Sequence, residues 1–287
     1  MAESSNGAPA PEYEDVSYEL VGHIARISLN RPRYRNAQSR RLLEELDAAF
    51  ARAAEDTAVR VIVLRGEGES FSAGHDLGTP EELADLEQRP YEEGLRGRYT
   101  RSWDRNVENT LRWRNLPKPT IAAVHGHCIF GGWMIASAMD VIFAAEDAQF
   151  LASNFQYFSV PWDIGARKAK ELLFEARFIS GVEAHELGLV NRAIPAAELD
   201  AEVMAYAERV AQNDPFQLRM TKLAVNQALD AQGFTTHIRG AHALHMLSAI
   251  GEGDPAASLP DRERTRRRPM VQRAIENQRL AEERTGR

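Results

Sequence analysis

Phe71-Ser72-Ala73-Gly74-His75-Asp76-Leu77 and His125-Gly126-His127-Cys128-Ile129-Phe130-Gly131-Gly132 each come shortly after an apolar run, Val61-Ile62-Val63-Leu64 in the first case and Thr120-Ile121-Ala122-Ala123-Val124 in the second. Apolar runs of this length bounded by glycine read as buried strands, so each glycine segment lies where a strand gives way to a turn. The small and apolar residues from Gly131 to Met139 predict a helix that Asp140 ends, after which Val141-Ile142-Phe143-Ala144-Ala145 resumes the strand pattern. This recurring strand, turn and helix predicts a parallel α/β core covered by helices.

Working outward, Val16 to Leu20 and His23 to Leu29 flank Gly22 and predict a hairpin that runs into the Asn30-Arg31-Pro32 turn. Ser39 is the expected N-cap of a helix from Arg40 to Glu55, with Leu42, Leu43, Leu46, Ala49, Phe50 and Ala53 at helical spacing. Pro80 to Trp113 carries both charge signs and reads as a helical excursion, either the roof of a pocket or a solvated insert. Helices are expected at Ala166 to Phe174, Gly181 to Leu187, Ala196 to Ala211 and Pro215 to Leu229, followed by a helical extension beyond Gly233. The expected organisation is a flexible leader over 1–12, a core over 13–200 and a helical C-terminal region over 201–287, which closes the pocket or builds a trimer.

The chain has 287 residues, enough for a substantial core, and a formal charge of −7, which argues against nucleic acid as a partner. The local run Arg262, Arg264, Arg266, Arg267 and Arg268 reads as a solvated helix start or tail, or as a place to meet an anion. The single cysteine, Cys128, excludes an intrachain disulfide, and no HExxH-like spacing suggests a metal. No apolar stretch has the length of a membrane span, and the first dozen residues lack the features of a secretion signal, so a cytoplasmic location is expected.

Two backbone segments of this kind can serve an oxyanion. Developing negative charge on an acyl oxygen is stabilised by rigid N–H donors, which glycine lets approach closely and which a helix start leaves unpaired. Gly74-His75 and Gly131-Gly132 are therefore candidate amide sites, although a glycine after a strand is also simply a turn. Neither segment has the spacing of a dinucleotide or triphosphate loop.

The segment Phe71 to Leu77, the run Lys118-Pro119-Thr120-Ile121-Ala122-Ala123-Val124-His125-Gly126, Gly131-Gly132, Asp140, Phe150, Glu183-Ala184 and Gly188-Leu189-Val190-Asn191-Arg192 together resemble the crotonase, or enoyl-CoA hydratase/isomerase, superfamily. The resemblance runs from about Val16 through Pro195. It implies an α/β fold built as a spiral of repeated β-β-α units with a C-terminal helical region, and a homotrimer or dimer of trimers. It also implies acyl-CoA thioester substrates, with coenzyme A as the carrier portion of the substrate and no tightly bound cofactor. The family's oxyanion donors fall on the backbone N–H groups of His75 and Gly131. Its early CoA-contacting loop falls on Asn36-Ala37, after Arg31-Pro32, where Arg31, Arg35 or Ala37 is expected to contact the nucleotide half through side chain or backbone. Ala73, Asp76, Leu77, Phe130, Met134, Tyr157 and Trp162 complete the expected substrate-binding set.

The departures from the family bear on mechanism. Familiar hydratases resemble one another in carrying two glutamates, and motif counting places Met134 and Asn154 at those positions. Neither side chain is a carboxylate base. Met134 is expected to pack against an acyl group or the core, and Asn154 to position water or a substrate carbonyl. Asp163 lies one residue from where other members carry a later acidic residue, and it is either an acid/base or the N-cap of the following helix. His127 is a second candidate proton carrier or a structural histidine; in an extended connection it would point the same way as His125. The expected activity is stabilisation of a thioester enolate, provisionally hydratase or dehydratase chemistry. The alternatives are an isomerase, a thioester hydrolase, a decarboxylase or a non-catalytic acyl-CoA-binding protein.

Overall fold

The structure, a computed structural model, describes residues 13–152, 156–248 and 269–285. The expected leader, Asn154 and the arginine run 262–268 lie outside the described residues.

The hairpin forms as β1 (Val16–Val21) and β2 (Ile24–Leu29), paired antiparallel around Gly22, which takes φ 59°. Ser39 then caps α1 (Arg40–Glu55) by accepting the Leu42 N–H at 3.1 Å, and the six apolar residues of its helical stripe are all buried. β3 (Val61–Gly66), β4 (Thr120–Val124), β6 (Val141–Ala145) and β9 (Arg192–Ile194) continue the sheet in parallel, in the order β1-β2-β3-β4-β6-β9. Their near-continuous apolar runs follow from burial on both faces, because α1 and α9 (Leu199–Ala211) pack against this sheet.

A second sheet, which the sequence did not reveal, is formed by β5 (His127–Ile129), β7 (Gln149–Leu151) and β8 (Ile179–Ser180). Ser72 extends it through a bridge to Cys128. Strands of two or three residues are too short for alternation to be visible. The order strand, strand, helix recurs as β1-β2-α1, as β4-β5-α5 (Gly131–Ser137) and as β6-β7-α6 (Val160–Asp163). The fold is thus the crotonase-like arrangement of repeated β-β-α units with C-terminal helices. Gly126 makes the step from one sheet to the other: its φ is 53°, and a β-carbon there would overlap the Glu69 carbonyl oxygen at 1.9 Å. That turn separates two histidines that an extended connection would have aligned. His125 Nε2 reaches the Gly68 carbonyl, and the His127 ring meets Phe178 edge-on.

The excursion folds as α2 (Pro80–Gln88), α3 (Gly94–Trp103), a π-helical turn at Asp104–Glu108 and α4 (Asn109–Arg114). α7 (Ala166–Glu175) and α8 (Gly181–Glu186) are followed by α9, α10 (Pro215–Ala231) and α11 (Phe234–Ser248). The last helix, Pro269–Thr285, buries Ala274 against Ile129 and Leu151 of the second sheet and against Phe178, which precedes β8. Among the described residues, no helix is long and apolar enough to cross a membrane.

Candidate active site

The two glycine segments meet. Gly74, at φ 86°, lies so close to the start of α5 that a β-carbon on it would stand 3.3 Å from the Gly131 nitrogen and 2.7 Å from the Ile129 carbonyl oxygen. Gln38 aligns the first segment in parallel, donating its N–H to Gly74 O at 2.8 Å and accepting the Asp76 N–H at 3.1 Å. Between these bonds the His75 N–H has no acceptor among the described residues, and neither has the Gly131 N–H at the first position of α5. Phe130 turns the chain into that helix with φ 45° and ψ −101°, a costly conformation for a side-chain-bearing residue. Two free amides therefore converge from separate chain segments, which suits them to one oxygen bearing negative charge.

The His75 ring lies over Gly131, where a β-carbon would be 2.9 Å from its Cε1. Its Nε2–H donates to Gln156 Oε1 at 2.5 Å. Burial lowers its pKa to about 4 against that hydrogen bond, and nearby Arg105 and His245 act in the same direction as burial. The ring is neutral at neutral pH.

Asp163 ends the short helix α6 and does not cap α7, whose first turn follows Gly165 without a side-chain cap. Its carboxylate instead turns inward. Oδ2 accepts hydrogen bonds from Ser159 Oγ at 2.8 Å, Ser137 Oγ at 3.0 Å and Trp133 Nε1 at 3.4 Å. Oδ1 receives none from the described residues. Burial raises the pKa of this carboxyl above its ordinary value despite those three donors, which favour the ionised form. Two of the donors, Trp133 and Ser137, lie one turn apart on α5, the helix that Gly131 opens.

Met134, on the same helix, packs with Tyr157, Val107, Leu111, Phe234 and Ile238, and Trp162 lies against this cluster. The cluster joins α5 to the excursion and to α11, the excursion contributing Val107 and Leu111. Trp162 Nε1 also donates to His237 Nδ1 at 2.9 Å.

The remaining candidates have other surroundings. Arg31 is buried, with Nη1 donating to Ala37 O at 2.6 Å and to Asp76 Oδ2 at 2.9 Å, and Nη2 donating to Thr79 Oγ1 at 3.1 Å. Burial would raise the Asp76 pKa, yet bonds from Thr79, Gly78 and Arg31 outweigh it and hold the carboxyl below its ordinary value. Arg31 and Asp76 thus brace the loop that presents His75. Arg31→Ala is expected to cost about 3–5 kcal/mol of stability, read as a lower urea midpoint, because it removes the cation buried between the Asp76 and Asp15 carboxylates. Arg35 is exposed at φ 51° and accepts the Ala73 N–H through its carbonyl, while Leu77 is exposed. Phe130 packs with the second sheet. His127 is partly buried beside Phe178, and burial together with Arg35 lowers its pKa.

Gln38, Gln156, Ser137 and Ser159 escaped sequence reasoning. The first three support their partners from distant parts of the chain, Ser159 lies four residues before Asp163, and no local pattern marks a lone polar residue for such a role. The nearest signal is the placement of Trp133 and Ser137 four residues apart, on one face of the helix opened by Gly131.

Known proteins are similar to this chain in sequence and fold. The enoyl-CoA hydratase/isomerase family model matches residues 19–248. The chain is 40% identical over 264 residues to the Mycobacterium tuberculosis protein named "Putative enoyl-CoA hydratase EchA13", covering 85% of this chain and 83% of that one. The crystal structure of a probable enoyl-CoA hydratase from Mycobacterium thermoresistibile is 44% identical, with a TM-score of 0.74 over 81% of this chain and 95% of its own. An enoyl-CoA hydratase/isomerase from Xanthobacter autotrophicus Py2 is 32% identical, with a TM-score of 0.77 over 92% of this chain and 97% of its own. With its β-β-α units, converging amides and this breadth of similarity, the chain belongs to the enoyl-CoA hydratase/isomerase family, whose members process acyl-CoA thioesters.

Proposed function

We propose that this protein binds an acyl-CoA thioester, stabilises its enolate with the backbone N–H groups of His75 and Gly131, and moves protons with Asp163. The observation that carries the reading is the convergence of two unpaired amides within reach of a helix whose side chains also hold a buried carboxylate. The provisional reaction is addition of water to an enoyl thioester or its reversal. In the forward direction the water oxygen bonds to the β-carbon, its proton passes to Asp163, and the double-bond electrons move to the thioester oxygen as an enolate. Asp163 then returns that proton to the α-carbon, which completes the hydroxyacyl product. Met134 lines the acyl side, in place of the first family glutamate, and Asn154 stands at the second.

Isomerisation is the second reading. It is favoured by the surroundings of Asp163, where Ser159, Ser137 and Trp133 bonds join burial in setting its pKa and no carboxylate among the described residues acts on it as a paired acid. A single base can take a proton from one carbon and return it to another. Assembly as a homotrimer or dimer of trimers belongs to the same proposal, supported by α10, which buries none of its residues within the single chain and exposes Phe216, Leu223 and Val225.

The discriminating experiment offers crotonyl, dienoyl, β-keto and malonyl thioesters and identifies products by mass. Gain of water marks a hydratase, unchanged mass with a shifted double bond an isomerase, and tight binding without turnover a binding protein. If Asp163 acts as the base it must be ionised. The rate is then expected to fall as pH drops through a pKa above the ordinary carboxylate range, and a pH profile of kcat/KM checks this.

A further inference from the structure

Tyr157 is 1% exposed, and its hydroxyl is buried with no hydrogen-bond partner among the described residues. Met134, Val107, Leu111, Phe234 and Ile238 form an apolar shell around its ring. Phenylalanine would fill nearly the same volume without desolvating a hydroxyl. The position also lies next to both halves of the candidate site. The preceding residue, Gln156, accepts the His75 hydrogen bond, and the Asp163 carboxyl is near enough to act on the phenol. Burial, the largest influence, raises the phenol pKa, so the hydroxyl keeps its proton and is available as a donor.

We propose that the Tyr157 hydroxyl donates a hydrogen bond to an oxygen carried on the acyl chain, so that the pocket selects oxygenated acyl-CoA thioesters over unsubstituted aliphatic ones. This rests on the acyl-CoA reading above. A hydroxyl or an oxo group on the chain would serve equally, since either oxygen accepts. An unsubstituted chain would bury the phenol a second time without a partner, the situation that penalises a ligand most at a site built for a hydrogen bond.

The test is calorimetric titration of the full chain with saturated acyl-CoA thioesters of one chain length, unsubstituted or carrying one hydroxyl at successive carbons beyond the β-carbon. The wild-type protein is expected to bind at least one hydroxylated thioester about ten- to a hundredfold more tightly than the unsubstituted one. In Tyr157→Phe the ratio is expected to collapse to about twofold or less, with a melting temperature equal to or above that of the wild type. Equal wild-type affinities across the series would overturn the proposal while leaving the acyl-CoA reading intact. A preference that survives in Tyr157→Phe, or a clear loss of melting temperature signalling an internal partner for the hydroxyl, would also overturn it. Failure of every thioester to bind would remove both readings together.

Discussion

Asp163→Asn is expected to lower kcat about a thousandfold, with thioester affinity and melting temperature close to those of the wild type. The substitution keeps the size and shape of the side chain, and its oxygen still accepts bonds from Ser159, Ser137 and Trp133, so α5 and α6 stay joined. What disappears is the proton acceptor. A structural role would give the reverse pattern, with lost stability at preserved turnover. Steady-state kinetics and thermal unfolding on the same preparation separate the two, and wild-type turnover in the variant would refute the assignment. The buried environment that raises the Asp163 pKa is what suits the group to this task, since a carboxyl shifted upward is a stronger base once ionised.

The second large effect is expected at Gly74. Alanine there would adopt φ 86° with its β-carbon 2.7 Å from the Ile129 carbonyl oxygen and 3.3 Å from the Gly131 nitrogen. Neither backbone atom can withdraw without moving the end of β5 or the start of α5, so the two amides must separate. Loss of their joint geometry is expected to reduce kcat about 10²- to 10³-fold, in addition to strain of about 1–3 kcal/mol. Gly22→Ala is the control for strain alone, because its φ is 59° and nothing lies within 4 Å of an added β-carbon. That variant is expected to melt lower with unchanged kcat. Equal kinetic losses in the two glycine variants would show that Gly74 acts only through folding.

These expectations draw on different depths of the sequence. The hairpin around Gly22, the Ser39-capped helix and the apolar strands β3, β4 and β6 were all legible, because each is specified by neighbours within a few residues: a cap, a helical stripe or a continuous apolar run. The choice between two roles for Asp163 was not legible. An N-cap and an inward-facing carboxylate share the same local pattern, and only the packing of α6 against α5 distinguishes them. The burial of Arg31 was not legible either: the resemblance places it in a CoA-contacting loop, through side chain or backbone, and no local pattern announces that its guanidinium is buried among Ala37, Asp76 and Thr79.

By itself, then, the sequence determined the family, the order of most elements and the two glycine segments that can present backbone donors. Those properties are local, written in propensity, periodicity and glycine placement. The tertiary structure alone decided that the segments converge, that Gln156 fixes the His75 ring, that Asp163 faces inward and that the Tyr157 hydroxyl is left unpaired. These depend mostly on segments tens of residues apart meeting in space, and the second sheet is built from strands too short to announce themselves.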